Sequence, residues 1–113
     1  MRGLILLVAL GALAACGSKS DQLQMRRAKT LIADNCAACH LVPGVAGAKG
    51  RVGPSLAGIA HQQIIAGHFA NTPEGLTHWI EHPQLLLPGD AMPEMGLTHE
   101  EAHLIATYLY TLE

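Results

Sequence analysis

The pattern of apolar and polar positions along the chain predicts a first helix that runs into Cys36. Its apolar positions recur at about the 3.6-residue period of an α-helix, and they are Leu23, Met25, Ala28, Leu31 and Ile32. Ser20 or Asp21 is a suitable N-cap for the start of this helix. Glycine and proline then interrupt the pattern over residues 41–54, which are therefore expected to form a loop.

Two more helices are predicted in the second half of the chain. The first has Thr72 as its N-cap and Pro73 at its first position, and it stops at Pro83. Its apolar face consists of Leu76, Trp79 and Ile80. The last helix opens with a capping box between Thr98 and Glu101. Its apolar stripe consists of Ala102, Ile105, Ala106, Tyr108, Leu109 and Leu112.

The rest of the chain favours irregular structure. Residues 85–95 include Pro88, Gly89 and Pro93 and are expected to be a second loop. No alternating pattern predicts a strand, and there is no internal repeat. The predicted fold class is therefore all-α, with short helices joined by long loops.

The size and the charge of the chain limit the classes of function that it can have. The chain has 113 residues, enough for one small domain. Its formal net charge of −2 gives no support for nucleic-acid binding. Arg26, Arg27 and Lys29 are the main basic cluster, and they are interpreted as a solvated helix face.

The N-terminus predicts export. Met1-Arg2 is a basic start, and the apolar run at 3–13 is shorter than the about 20 residues that a membrane-spanning helix needs. The run Leu13-Ala14-Ala15-Cys16-Gly17 resembles the bacterial lipoprotein signal, in which the cysteine is lipidated and becomes the first mature residue. An ordinary signal peptide is the alternative, but it leaves Cys16 as a free thiol without a role.

These features divide the chain into three segments. We predict a lipoprotein signal peptide at 1–15, a lipidated tether at 16–24 and a folded domain at 25–113. Removal of the signal leaves six basic and nine acidic residues, a net charge near −3. The expected location is the bacterial membrane, with the domain facing the periplasm or the outer side of the cytoplasmic membrane.

The run Cys36-Ala37-Ala38-Cys39-His40 has the spacing of covalent c-type haem attachment. Each thiol can add to one vinyl group of a porphyrin, and His40 can then bind the iron. A redox dithiol and half of a zinc site are the alternatives. A zinc site needs a second ligand pair, and Cys16 is the only other cysteine. A thioredoxin-like dithiol would follow a strand in a βαβ pattern, which is missing.

A second iron ligand would favour electron transfer over binding of outside molecules. Methionine opposite histidine raises the reduction potential. Met92 lies in a loop constrained by prolines, Met95 is three residues further on, and Met25 is expected in the core instead. We favour Met92 and keep Met95 as the alternative. The six histidines other than His40 are interpreted mostly as solvated side chains.

From about residue 28 to 112 the chain resembles class I c-type cytochromes, and most of all the cytochrome c domain of bacterial cytochrome oxidase subunit II. Each matching piece is short, but their order and spacing are specific. The pieces are Cys36–His40, Arg51-Val52-Gly53-Pro54-Ser55-Leu56, Asn71-Thr72-Pro73-Glu74-Gly75-Leu76, Trp79-Ile80-Glu81-His82-Pro83, Pro88-Gly89-Asp90-Ala91-Met92-Pro93 and Tyr108-Leu109.

The resemblance implies one covalent haem c and a role for several residues. His40 would be the proximal ligand through Nε2, while its Nδ1–H donates to the carbonyl of Pro54. Met92 would be the distal ligand, and Trp79 would pack on the distal side of the haem. The resemblance also implies that Ala28 lies where the first and last helices cross, close to Tyr108.

We therefore expect a membrane-anchored monohaem cytochrome that carries single electrons between respiratory redox partners, such as a cytochrome oxidase or another respiratory complex. We do not expect it to be an enzyme. The copper domain and membrane helices of the oxidase subunit are missing from the sequence, which predicts a free-standing lipoprotein. The alternatives are a haem-based gas or peroxide sensor or small haem enzyme with a labile distal ligand, and a metal-free lipoprotein with a disulfide.

Overall fold

A computed structural model describes residues 14–113, with side chains from Ser18 onward. The predicted signal peptide at 1–15 therefore lies almost wholly outside the described residues, and the side chain of Cys16 does too. The elements in chain order are α1 (Ala14–Asn35), a 3₁₀ helix (Ile59–His61), β1 (Ile64–Ile65), β2 (Phe69–Ala70), α2 (Pro73–Glu81), α3 (Pro83–Leu86) and α4 (His99–Leu109).

The two predicted helix starts in the second half of the chain are confirmed. The hydroxyl of Thr72 accepts a hydrogen bond from the Gly75 N–H at 3.0 Å, which caps α2. Thr98 and Glu101 form the reciprocal capping box of α4. Because each cap satisfies N–H groups that have no partner inside the helix, local sequence alone sets these starts.

The start of the first helix was predicted wrongly. Ser20 and Asp21 lie inside α1, which already includes Ala14, so neither is its N-cap. The segment predicted as a tether, residues 16–24, is thus helical. Its described side chains, from Ser18 to Gln24, are all exposed. This part of α1 has no apolar face, so the apolar pattern of the sequence does not predict it.

Three short elements were not predicted. β1 and β2 form a two-stranded antiparallel hairpin in which Ile65 pairs with Phe69, although no strand was expected. The 3₁₀ helix precedes the hairpin, and α3 occupies the start of the segment expected to be irregular. Elements of two to four residues contain about one period of an apolar pattern, so no repeat can be recognised in them.

The core forms where α4 packs against both α1 and α2. Ala28 on α1 is fully buried, and Ala102, Ile105 and Tyr108 on α4 belong to the same core cluster. The hydroxyl of Tyr108 donates to the carbonyl of Pro43 at 2.7 Å. The last helix thereby also holds the long loop that follows α1.

Asn71 connects the hairpin region to the C-terminus. Its side-chain amide donates to the carbonyls of Ile59 and Gln62 at 2.9 and 2.8 Å. Its carboxamide oxygen accepts from the hydroxyl of Tyr110 at 2.7 Å. One side chain therefore closes the 3₁₀ helix against the end of α4. Among the described helices, none combines the length and the apolar character that a membrane crossing requires.

Replacement of Ala28 by leucine should destabilise the domain. The side chain of Ala28 has no exposed surface, so added methylene groups must displace the packed α1–α4 contact, at a cost of about 1–3 kcal/mol. Denaturant unfolding followed by far-ultraviolet circular dichroism measures this change.

The matched control is Ala33→Leu, on the exposed surface of the same helix. It should change the free energy of unfolding by no more than about 0.5 kcal/mol. Equal effects of the two substitutions would show that the helix crossing is not packed as described.

Candidate haem site

A cavity of about 540 Å³ is lined by the end of α1, the loop at 52–56, the 3₁₀ helix, β1 with the turn that follows it, α2, the loop at 90–95 and α4. Its volume falls within the roughly 300–1,000 Å³ that is usual for small-molecule and cofactor sites. Its walls are largely aliphatic and include Leu56, Ile59, Leu76, Ile80, Ile105 and Leu109. Such walls suit a large apolar ring and exclude water from it.

The C-x-x-C-H run continues from the last turn of α1 into this cavity. The N–H of Cys36 donates to the Ile32 carbonyl at 2.8 Å, and the N–H groups of Cys39 and His40 donate to the Cys36 carbonyl at 3.1 and 2.9 Å. The chain therefore keeps turning after the helix ends. Both thiols and the imidazole line the cavity as a result.

The two thiols are unpaired in the structure. Burial, and to a smaller extent the neighbouring Cys39, raises the pKa of Cys36 to about 11. A reactive redox dithiol instead depends on a cysteine whose pKa lies well below the ordinary value. The raised pKa of Cys36 gives no support to a reactive thiolate at this position, as the redox-dithiol alternative would need.

His40 is held in one tautomer by the loop that follows the motif. Its Nδ1 lies 2.7 Å from the carbonyl oxygen of Pro54. Because a carbonyl can only accept, the proton must be on Nδ1, and Nε2 keeps its lone pair. This is the hydrogen bond that the family resemblance implied. It prepares Nε2 to bind a metal ion.

Two glycines let this loop approach the motif closely. The N–H of Gly50 donates to the His40 carbonyl at 3.2 Å, and that of Gly53 donates to the Cys39 carbonyl at 2.7 Å. A Cβ atom at Gly53 would collide with the imidazole of His40, and one at Gly50 would lie 2.5 Å from the carbonyl carbon of Cys39. Sequence reasoning gave neither glycine a role.

Met92 and Met95 both line the cavity, and both are half-buried. Met25 packs against the core and is not among the residues that line the cavity. The structure thus brings the favoured ligand and its alternative to the same place. Trp79, which is 8% exposed, also lines the cavity, and its ring centroid lies 5.7 Å from that of Phe69.

The other titratable groups form no second metal centre in the part of the chain that the structure describes. No group of three or more His, Cys, Asp or Glu residues there could hold a metal ion. His99 donates to the Glu81 carboxylate at 2.9 Å. This hydrogen bond is the main cause of a lowered Glu81 pKa, which the nearby His82 and His78 also favour.

An α-helical domain with two thiols and an imidazole at the wall of an apolar cavity defines a haem-attaching protein. The family model of cytochrome c matches residues 25–113, and the chain belongs to this family. Its helices, small hairpin and long loops form the class I cytochrome c fold. Members of the family transfer electrons through covalently attached haem c, and one haem fits a chain of this size.

A relative with known identity is the cytochrome c oxidase subunit 2 of Alkalihalophilus pseudofirmus. The chain is 32% identical to it over 81 residues. The match covers 71% of this chain and 23% of the relative. The chain therefore corresponds to about a quarter of that subunit's length.

The residues at the cavity fit haem c. Cys36 and Cys39 are free and spaced for two thioether bonds, and His40 presents a nitrogen lone pair. A methionine thioether is available from the segment 92–95, and the aliphatic walls suit the porphyrin faces. Among the described residues that line the cavity, Asp90 is the only acidic one, and none is a lysine or an arginine.

Replacement of Gly53 by alanine should displace the His40 imidazole from its position at the cavity wall. The added methyl group must push the His40 ring or the Pro54 loop aside, and overpacking of this kind costs about 1–3 kcal/mol. We expect a lower free energy of unfolding and a lower yield of haem-loaded protein. Denaturant unfolding and a pyridine haemochrome assay measure the two effects.

Arg51→Ala serves as the control in the same loop, because Arg51 is exposed and does not line the cavity. It should leave both quantities close to those of the unsubstituted protein. A Gly53→Ala protein with unchanged stability and haem content would contradict the close approach described for this loop.

Proposed function

We propose that this chain is a membrane-anchored, monohaem electron carrier that moves single electrons between respiratory redox proteins. The observation that carries the proposal is the meeting of two thiols, an imidazole and a thioether at one apolar cavity. In this proposal Cys36 and Cys39 hold the haem covalently, and His40 and Met92 are the two iron ligands. When bound, the haem iron supplies a one-electron ferrous–ferric couple.

The protein's own residues set the conditions for electron transfer. The hydrogen bond to Pro54 keeps the proton of His40 on Nδ1 and fixes the orientation of its ring. Met92 as the opposite ligand would favour the reduced form and keep the sixth position closed to outside molecules. Trp79 and the aliphatic walls would limit access of water.

The rim of the cavity supports transient docking of a redox partner. Val52 and Ile64 line the cavity and are 79% and 57% exposed. Small apolar patches at the edge of a site suit the weak encounters of electron-transfer proteins. The likeness to an oxidase subunit favours a cytochrome oxidase or another respiratory complex as the partner.

The membrane anchor is the second part of the proposal and depends on Cys16. Lipidation at this position, after removal of residues 1–15, would confine the domain to the outer face of a bacterial membrane. Confinement raises its effective concentration near membrane-bound partners. The exposed side chains of α1 from Ser18 to Gln24 are compatible with a solvated connection between lipid and domain.

Met92→Ala should lower the reduction potential and open the iron to added ligands. Because axial ligands set haem potentials over a range of roughly 0.8 V, we expect a decrease on the order of a tenth of a volt or more. Potentiometric titration gives the potential, and the near-infrared band of methionine-ligated ferric haem reports the bond itself.

Met95→Ala is the matched control, because Met95 lines the same cavity three residues away. It should leave the band and the potential nearly unchanged. A larger effect of Met95→Ala would show that Met95, and not Met92, is the iron ligand. A high-spin spectrum of the unsubstituted protein, or ready binding of carbon monoxide to its reduced form, would favour the sensor or small haem enzyme instead.

Cys16→Ser should release the protein from membranes without any change in its spectrum. Serine cannot form the thioether to the lipid, and Cys16 is separate from the haem-attaching cysteines in the sequence. Membrane fractionation and intact-protein mass measure the outcome. Retention of the variant in the membrane fraction would refute anchoring through this residue.

A further inference from the structure

The segment 88–94, here called the methionine loop, is held by one glutamine side chain. Gln84 on α3 donates from Nε2 to the backbone carbonyls of Asp90 and Met92 at 2.7 and 2.8 Å. Its Oε1 accepts from the Gly89 N–H at 3.0 Å. A single carboxamide therefore satisfies three backbone groups of the loop, one of them on Met92 itself.

Further hydrogen bonds fix the loop on both sides of Met92. The backbone N–H of Gln84 donates to the Glu94 carboxylate at 2.9 Å, and the Met92 N–H donates to the Asp90 carboxylate at 3.2 Å. Gln84 is itself firmly placed. It follows the buried Pro83, and the Leu87 N–H closes the short helix on the Pro83 carbonyl at 2.9 Å.

The methionine loop is mostly exposed, and Met92 is its one residue that packs against the apolar core of the described chain. Pro88, Gly89, Asp90 and Ala91 are all exposed, whereas Gln84 is half-buried. Methionine is an unbranched side chain with three rotatable bonds. The place of its sulfur atom therefore depends on how firmly its backbone is held.

We propose that Gln84 is a positioning residue that holds the backbone of Met92 so that its thioether stays at the cavity. This inference rests on the proposed function, in which Met92 is the distal ligand. Loss of the carboxamide leaves two carbonyls and one N–H of the loop without their partners. The open form of the loop then becomes more populated, and an outside ligand can compete for the sixth position.

The test is imidazole binding to the haem-loaded, full-length ferric protein. Gln84→Met keeps the length of the side chain and removes all three of its hydrogen bonds. Apparent affinity for an outside ligand rises in proportion to the open fraction. Given the usual strength of such bonds, we expect imidazole to bind about tenfold more tightly or better. On heating, the near-infrared methionine band of Gln84→Met should also disappear at a lower temperature than that of the unsubstituted protein.

Gln63→Met is the matched control. Gln63 is exposed, it does not line the cavity, and its side chain makes no hydrogen bond within residues 14–113. Its substitution should leave imidazole affinity unchanged. Gln84→Glu is a second variant of nearly identical size, which loses the two donated hydrogen bonds, and we expect it to bind imidazole more tightly as well.

If Gln84 has only a structural role, Gln84→Met should lower the free energy of unfolding of the domain. Its affinity for imidazole should then equal that of Gln63→Met. If the unsubstituted protein shows the methionine band and Met92→Ala lacks it, that result would overturn the positioning role of Gln84. The assignment of Met92 as the ligand would still stand. If the band is missing from the unsubstituted protein, or survives in Met92→Ala, the ligand assignment fails and the inference fails with it.

Discussion

The hydrogen bond between the His40 imidazole and the Pro54 carbonyl is the contact on which the site depends. It places the ring proton on Nδ1 and leaves the Nε2 lone pair for a metal. The bond exists only because residues 50–54 return to the motif, and that return requires two glycines. Gly53 leaves room for the ring, and Gly50 leaves room for the backbone of Cys39. The two positions without a Cβ atom therefore decide the chemistry of a histidine that lies ten and thirteen residues earlier in the chain.

The two sides of the cavity are organised in different ways. On the histidine side, the thiols and the ligand belong to one continuous run, so helix α1 and its following turn deliver all three together. On the methionine side, the candidate ligands lie in an exposed loop that needs support from a side chain of another element. Gln84 supplies this support through three hydrogen bonds. The proposed Met92 ligand thus depends on support from another element, whereas His40 is delivered by the run that contains both thiols.

The errors of prediction share a physical cause. The starts of α2 and α4 were predicted correctly, because Thr72 and Thr98 cap their helices with their own side chains. Ser20 and Asp21 have equally good capping side chains but lie within α1. The prediction failed because an exposed helical segment carries no periodic apolar signal. The hairpin at Ile65 and Phe69 depends on pairing between strands of two residues, and such short pairs are stabilised by their surroundings rather than by their own sequence.

The sequence by itself determined the all-α class, the N-caps of α2 and α4, the Cys36–His40 run and the family to which the chain belongs. These are local properties, because caps, periodicity and the C-x-x-C-H spacing involve residues only a few positions apart. Only the tertiary structure showed that Gly53 touches His40, that Tyr108 holds the Pro43 loop and that Gln84 holds the Met92 backbone. These contacts depend on the folded path of loops without periodic pattern, and residues distant in the chain meet there for reasons that no single segment contains.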